Sequence, residues 1–288
     1  MFKDMLTNDT KVLELKDKRF EIIKKTIEQK KKEIEIFSKD TGIKRISSIN
    51  YDFFIYHWYK LNNNWYFYKQ AFDSPYIHFG LDELLGEVIS EYFDLDTVHY
   101  EIAHLKNIFN EDLYGVLSKN FCNKNYTYKA LNEYGITSKE GIFLLDRLSY
   151  DKNNDNLVED IKKMIIRDFY TLQNDHNKNN IQLVVKDGNC SLAPLYDYEN
   201  SFNHCNNNKL NYNSFININV DDKDMLCYIR NDLLFQLLLY KVIDADMNIF
   251  LNKVEQRHRI RIPSDYKTQF LNHDKKMKKI IKEYRLIK

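Results

Sequence analysis

The chain has 288 residues, enough for one large domain or two modest lobes around a substantial core. Its 43 Lys and Arg nearly balance its 42 Asp and Glu, and a net charge of +1 predicts no global attraction to nucleic acid or to an anionic membrane. Seven Gly and three Pro argue against a loop-dominated or low-complexity chain. Cys122, Cys190, Cys205 and Cys227 form no CxxC pair, so ordinary reduced thiols are expected rather than a disulfide framework or a zinc site. The first residues, MFKDMLTNDTKV, lack the apolar core of a signal peptide, and no run of about 18 apolar residues exists to span a bilayer. A cytoplasmic location is expected, with export by a route that uses no recognisable signal peptide left open.

Residues from Asp9 to Phe37 read as a helix, because Phe20, Ile23, Ile27, Ile34 and Phe37 recur at helical spacing opposite a Lys/Glu face. The stripe is too short for a coiled coil and predicts a helix packed on the domain that follows. Two aromatic segments, YDFFIYHWYK and NWYFYKQ, flank a polar break and read as strand, turn and strand. LDELLGEVISEYF returns to helical spacing through Leu84, Leu85, Val88 and Phe93, and VHYEIAHL and DLYGVLSKNF read as two further strands. From about Thr137 the pattern turns helical in SKEGIFLLDRLS and LVEDIKKMIIRDFYTL. A short strand pair follows, IQLVV and CSLAPLYD, and then DMLCYIRNDLLFQLLLYKVIDADMNIFLNKV is helical again. The basic tail HDKKMKKIIKEYRLIK spaces Met277, Ile280, Ile281 and Tyr284 as a packed amphipathic helix does, which is favoured over a nucleic-acid arm. The order predicts an α+β, two-lobed, kinase-like chain: a helical extension over residues 1–42, a small β-rich N-lobe over 43–122, and a mostly helical C-lobe over 123–288.

One polar octapeptide, QNDHNKNN, interrupts the second half between IKKMIIRDFY and IQLVV. Phosphoryl transfer from ATP asks for a carboxylate near the acceptor hydroxyl and oxygen ligands for Mg2+. Asp175 and Asn180 can supply two of these groups if the loop turns back sharply, and Asp197, just past the next strand pair, can supply the third. A surface Asx turn accounts for the same octapeptide, with Asn and Asp satisfying their own backbone. His176 is not needed as a ligand, and His204 with Cys205 is too small a set for a metal site.

The company of this motif weighs against the simple turn. RDFYTLQNDHNKNNIQLV followed by LAPLYDYENSF resembles the catalytic segment of the HipA-type kinases, which runs roughly F-D-x-L-I-x-N-x-D-R-H-x-x-N, a hydrophobic strand, then A-P-x-Y-D. The likeness spans residues 45 to 235 or so. It implies a HipA- and phosphatidylinositol-kinase-like fold, with Asp168 as a loop anchor, Asp175 as the catalytic base, and Asn180 and Asp197 holding Mg2+. Upstream, FYK ends in Lys69, where the family has its phosphate-binding lysine. ELLGEVISEYF puts Glu83 in the position that pairs with this lysine, with Glu87 one turn on along the same face. GVLSKNF matches the hinge, so the backbone of Ser118, Lys119 and Asn120 is expected to meet the adenine.

The resemblance therefore implies an ATP- and Mg2+-dependent kinase acting on Ser or Thr hydroxyls of a protein, with an antitoxin or regulatory protein as a further partner. Only a helix precedes the lobe, which is the pattern of the stand-alone, HipA C-terminal-domain kinases. Departures are plain: the family's D-R-H is here Asp175-His176-Asn177, and TGIKRISSIN, with Ser47 and Ser48, is the sole candidate for a phosphate loop. A lipid or small-molecule kinase of the same fold, and a nucleotide-binding pseudokinase, are the competing readings. The segment from Phe202 to Asp224 follows Asp197 as an activation loop would, and Ser214 within it is a candidate phosphorylation site.

Overall fold

The structure, a computed structural model, describes residues 2–15, 56–62, 64–71, 73–74, 77–106, 112–122, 126–130, 141–149, 155–173, 176, 180–186, 189–198, 201–202 and 218–287. Its strands are β1 Val12–Leu15, β2 Tyr56–Leu61, β3 Asn64–Gln70, β4 Asp73–Ser74, β5 Ile77–His78, β6 Tyr100–Lys106, β7 Asp112–Lys119, β8 Thr127–Ala130, β9 Gln182–Lys186 and β10 Asn189–Leu192. Its α-helices are α1 Phe79–Tyr92, α2 Leu144–Ser149, α3 Asp155–Thr171, α4 Lys223–Asn231, α5 Leu233–Asp244, α6 Met247–His258 and α7 Ser264–Glu283. The chain divides into two compact units, one built from residues 11–71 and 101–120 and the other from residues 1–10, 72–100 and 121–288.

The first unit is a five-stranded sheet in the order β1-β6-β7-β3-β2. The two aromatic segments form the expected antiparallel pair, Tyr56 opposite Lys69 and Leu61 opposite Asn64. Asn62 turns the chain at φ 48°, a left-handed conformation that Asn tolerates. One face of the sheet buries Leu15, Tyr59, Tyr68, Ala103, Leu105 and Leu117. The helix expected over residues 9–37 does not begin at Asp9: Val12–Leu15 is a strand, parallel to Ile102–Leu105. Pairing with β6 and burial of Leu15 override a helical stripe whose apolar residues start only at Phe20, and residues 16–55 lie outside the described residues. His104 on β6 joins this strand to the next, 2.7 Å from Glu14 and 2.9 Å from Asp112.

The second unit is mostly helical, with a three-stranded sheet ordered β10-β9-β8. Of these strands only β8 lacked a signal in the sequence. Helix α1 packs on α6, and α3 packs on α5 and β10. Three aspartates, Asp222, Asp232 and Asp246, cap the N-termini of α4, α5 and α6 and accept first-turn amide hydrogens, which cuts one long apolar stretch into three helices. Helix α7 buries Phe270, Met277, Ile280 and Ile281 as its spacing predicts, whereas Tyr284 caps it and is 38 % exposed. The N-terminal residues close on the α6–α7 corner: Arg261 N–H donates to the Met5 carbonyl at 2.7 Å, and the Thr7 and Thr10 hydroxyls both donate to the Arg259 carbonyl at 2.6 Å. Cys122, Cys190 and Cys227 are unbridged. Among the described residues no helix is long and apolar enough to cross a membrane.

Two predictions follow from packing. At Gly115 a Cβ would lie 2.1 Å from the Lys69 carbonyl oxygen, a backbone atom of the neighbouring strand. Gly115→Ala should cost about 1–3 kcal/mol by overpacking, measured by urea unfolding. His258, 9 % exposed at the end of α6, has its imidazole pushed down to about 4 by burial, against the pull of the Glu87 carboxylate. The unfolded chain takes up this proton near pH 6.5 while the folded ring stays neutral until about 4, so stability falls as pH drops through that window. His258→Gln should flatten that limb of the stability–pH curve.

Candidate active site

Helix α3 carries two charges, Arg167 and Asp168, inside an apolar run, and both are fully buried. Such groups stay ionised in a core only when paired. An Arg167 guanidinium nitrogen donates to Asp168 Oδ1, its Nε donates to Ser90 Oγ at 3.1 Å, and its Cζ lies 4.3 Å from the centre of the Tyr198 ring. Its remaining nitrogen has no hydrogen-bond partner among the described residues.

The helix ends just beyond. Leu172 adopts φ 48°, its amide donates to the Phe169 carbonyl at 3.3 Å, and the Gln173 amide donates to the Asp168 carbonyl at 3.0 Å. This is a Schellman termination, usually signalled by glycine and carried here by leucine. The turn delivers His176 into the core, fully buried. Its Nδ1 lies 3.0 Å from Asp168 Oδ2 and its Nε2 lies 3.2 Å from the Tyr196 carbonyl. Both partners are acceptors, an Asp168 carboxylate oxygen at one end of the ring and a peptide oxygen at the other. Asp168, expected as a loop anchor, holds His176, a histidine to which the sequence assigned no task.

Asp197 stands at φ 67°, in the left-handed region. Side chains hold each backbone group around it. The Tyr196 carbonyl accepts from His176, the Asp197 amide donates to Tyr100 Oη at 3.2 Å, the Asp197 carbonyl accepts from Gln173 Nε2 at 2.8 Å, and the Tyr198 amide donates to Glu83 Oε2 at 2.9 Å. Burial first, and the Glu83 charge second, raise the Tyr100 phenol well above its ordinary range, so it stays protonated and hydrogen-bonds Glu83. Tyr198 is likewise raised by burial, and its hydroxyl meets Ser90 at 3.1 Å and Thr97. Gly86 lets this ring lie against α1, since a Cβ there would sit 2.3 Å from Tyr198 Cγ.

Asn180 Nδ2 donates to Asp197 Oδ2 at 2.8 Å, so two of the three oxygen-bearing residues singled out in the sequence meet. An amide oxygen and a carboxylate are hard donors of the kind Mg2+ takes, and the contact seen between the two residues is made by the amide nitrogen. Among the described residues no three His, Cys, Asp or Glu side chains gather as a metal site. Glu83 reaches the same turn through the Tyr198 amide, whereas Glu87 is engaged by His99 at 2.7 Å and by Arg257 at 2.7 Å. Asp175 lies outside the described residues, as do Ser47, Ser48, His204, Cys205 and Ser214. Lys69, Ser118, Lys119 and Asn120 belong to the other unit. There Lys69 is 8 % exposed on β3, and the Asn120 amide donates to the Trp65 carbonyl at 2.8 Å.

No family model and no curated protein matches this sequence. Solved structures do. The chain is similar to the Helicobacter pylori proinflammatory kinase CtkA, with a TM-score of 0.56 and 13 % identity over 78 % of this chain and 90 % of that one. It is also similar to HipA of the Shewanella oneidensis MR-1 toxin antitoxin system, solved with HipB and operator DNA, with a TM-score of 0.50 and 10 % identity over 98 % of this chain and 74 % of that one. The fold is that of the HipA-like kinases. Identities this low carry the fold and not the reaction.

Within this HipA-like fold Arg167 and Asp168 are the charged side chains with no exposure at all among the described residues. Asp168→Ala leaves the Arg167 guanidinium without its counter-ion and should destabilise the protein by about 3–5 kcal/mol in denaturant unfolding.

Proposed function

We propose that the chain is an ATP- and Mg2+-dependent kinase that transfers phosphate to Ser or Thr hydroxyls of a protein. One observation carries this reading: on a HipA-like kinase fold, Asn180 and Asp197, separated by 17 positions, meet at 2.8 Å. Mg2+, when bound, would supply charge neutralisation on the nucleotide phosphates. Asn180 and Asp197 are the residues that would hold it. Asp175 would accept the hydrogen bond of the acceptor hydroxyl and orient it for in-line attack. Lys69 would set a point charge on the nonreacting phosphates, oriented by Glu83. The backbone of Ser118, Lys119 and Asn120 would meet the adenine, through groups other than the amide that Asn120 already commits to Trp65. A regulatory protein partner belongs to the proposal, because the HipA neighbour comes from a toxin antitoxin system with HipB.

Incubation with labelled ATP and panels of proteins, lipids and small alcohols tests the reading, with mass spectrometry locating the label. Transfer to Ser or Thr of protein is expected with Mg2+ and not with chelator. Asp175→Ala should lower it by about 10²–10⁴-fold while far-UV circular dichroism stays unchanged, and Asp197→Ala should lower it by removing a metal ligand. Label on lipid or small alcohol alone would reassign the acceptor. Nucleotide binding with no transfer to anything would make the chain a pseudokinase.

A further inference from the structure

Of the four side chains that hold the backbone around Asp197, two come from α1 and β6, Glu83 and Tyr100, and two come from the segment that ends α3, Gln173 and His176. That segment also carries Asp175 and leads to Asn180. The two polypeptide stretches that bear the proposed phosphoryl-transfer groups are therefore fastened to one another by Gln173 Nε2 on the Asp197 carbonyl and by His176 Nε2 on the Tyr196 carbonyl. Both side chains are fully buried. The other end of His176 is itself fixed, because Asp168 is held from behind by Arg167.

We propose that His176 and Gln173 are positioning residues that lock Asp197 into its left-handed, metal-facing conformation and so set its distance from Asn180. The inference rests on the proposed metal role of that pair. It also explains the departure of this loop from its family: with no arginine after Asp175, a buried histidine one position earlier supplies the loop's attachment from the inside. A histidine that merely filled the core would need volume and an apolar contact. This one spends both nitrogens on acceptors from two different stretches of chain, and the acceptor at one end is the peptide oxygen adjoining Asp197.

Variants separate the two bonds. Asn in place of His176 keeps a donor at the reach of Nδ1, toward Asp168, whereas Gln keeps one at the reach of Nε2, toward Tyr196. The probes are Mn2+ with ADP, titrated by electron paramagnetic resonance, and hydrogen exchange of the Asp197 and Tyr198 amides in the nucleotide-free protein. His176→Asn should weaken Mn2+ binding by about 10–100-fold, the usual cost of losing a partner that orients a ligand, and should speed exchange of both amides. His176→Gln should recover most of both. Identical behaviour of the two variants, or metal affinity that tracks melting temperature alone, overturns the proposal. Should His176→Asn not fold, Gln173→Met removes the second donor of the same segment and must lower Mn2+ affinity likewise; unchanged affinity there overturns it. A wild-type chain that binds no Mn2+ with ADP refutes the phosphoryl-transfer reading, and the exchange comparison then still decides, by a difference or its absence between Asn and Gln, whether His176 fixes the turn.

Discussion

Asp197 occupies a backbone conformation that an L-residue enters at a cost of about 1–2 kcal/mol, and the helical unit is organised around keeping it there. Four hydrogen bonds to the flanking peptide groups, each worth about 0.5–1.5 kcal/mol net, outweigh that cost. They come from parts of the chain far apart in sequence: Glu83 and Tyr100 upstream, Gln173 and His176 from the end of α3. Strain maintained by so many independent contacts is found where a side chain has to point in one direction. Here that direction brings the Asp197 carboxylate against Asn180.

Helix α1 supplies much of the support through one stripe. Glu83, Gly86, Glu87 and Ser90 stand at i, i+3, i+4 and i+7, so they share a face. Glu83 takes the Tyr198 amide, Gly86 admits the Tyr198 ring, Glu87 takes the Tyr100 amide at 3.1 Å, and Ser90 meets both Arg167 and the Tyr198 hydroxyl. The helix has no wet side here; its polar stripe is buried, and every group on that stripe has a task in the core. Arg257 of α6 pins the far end by pairing with Glu87 and Glu91.

The buried charges of α3 raise a question of energy. Desolvating Arg167 and Asp168 costs several kcal/mol per ion, and apolar groups of the same volume would stabilise the fold as well or better. What apolar groups cannot do is fix a carbonyl. The ionic cluster exchanges stability for a defined orientation of the Tyr196 peptide, and hence of the residue that follows it. Tyr198 packs its ring over the guanidinium from the other side and closes the cluster to water.

Local chemistry was enough to read most elements. Aromatic alternation marked β2 and β3, helical spacing marked α1, α3 and α7, and the oxygen-bearing side chains of Asn180 and Asp197 stood out because a polar loop broke an apolar background. Periodicity misled at Val12–Leu15, since four residues adopt whatever an available sheet edge offers. Nothing in the sequence separated β8 from loop. The site was half legible for a related reason. A carboxylate or amide announces which ion it can bind, but the hydrogen bonds of His176, Gln173 and Tyr100 depend on acceptors that are peptide groups, and every residue has those. By itself the sequence determined which oxygen-bearing side chains were candidates for the site. Only the tertiary structure decided which side chains hold them in place, because backbone acceptors carry no residue-specific signature until the chain has folded.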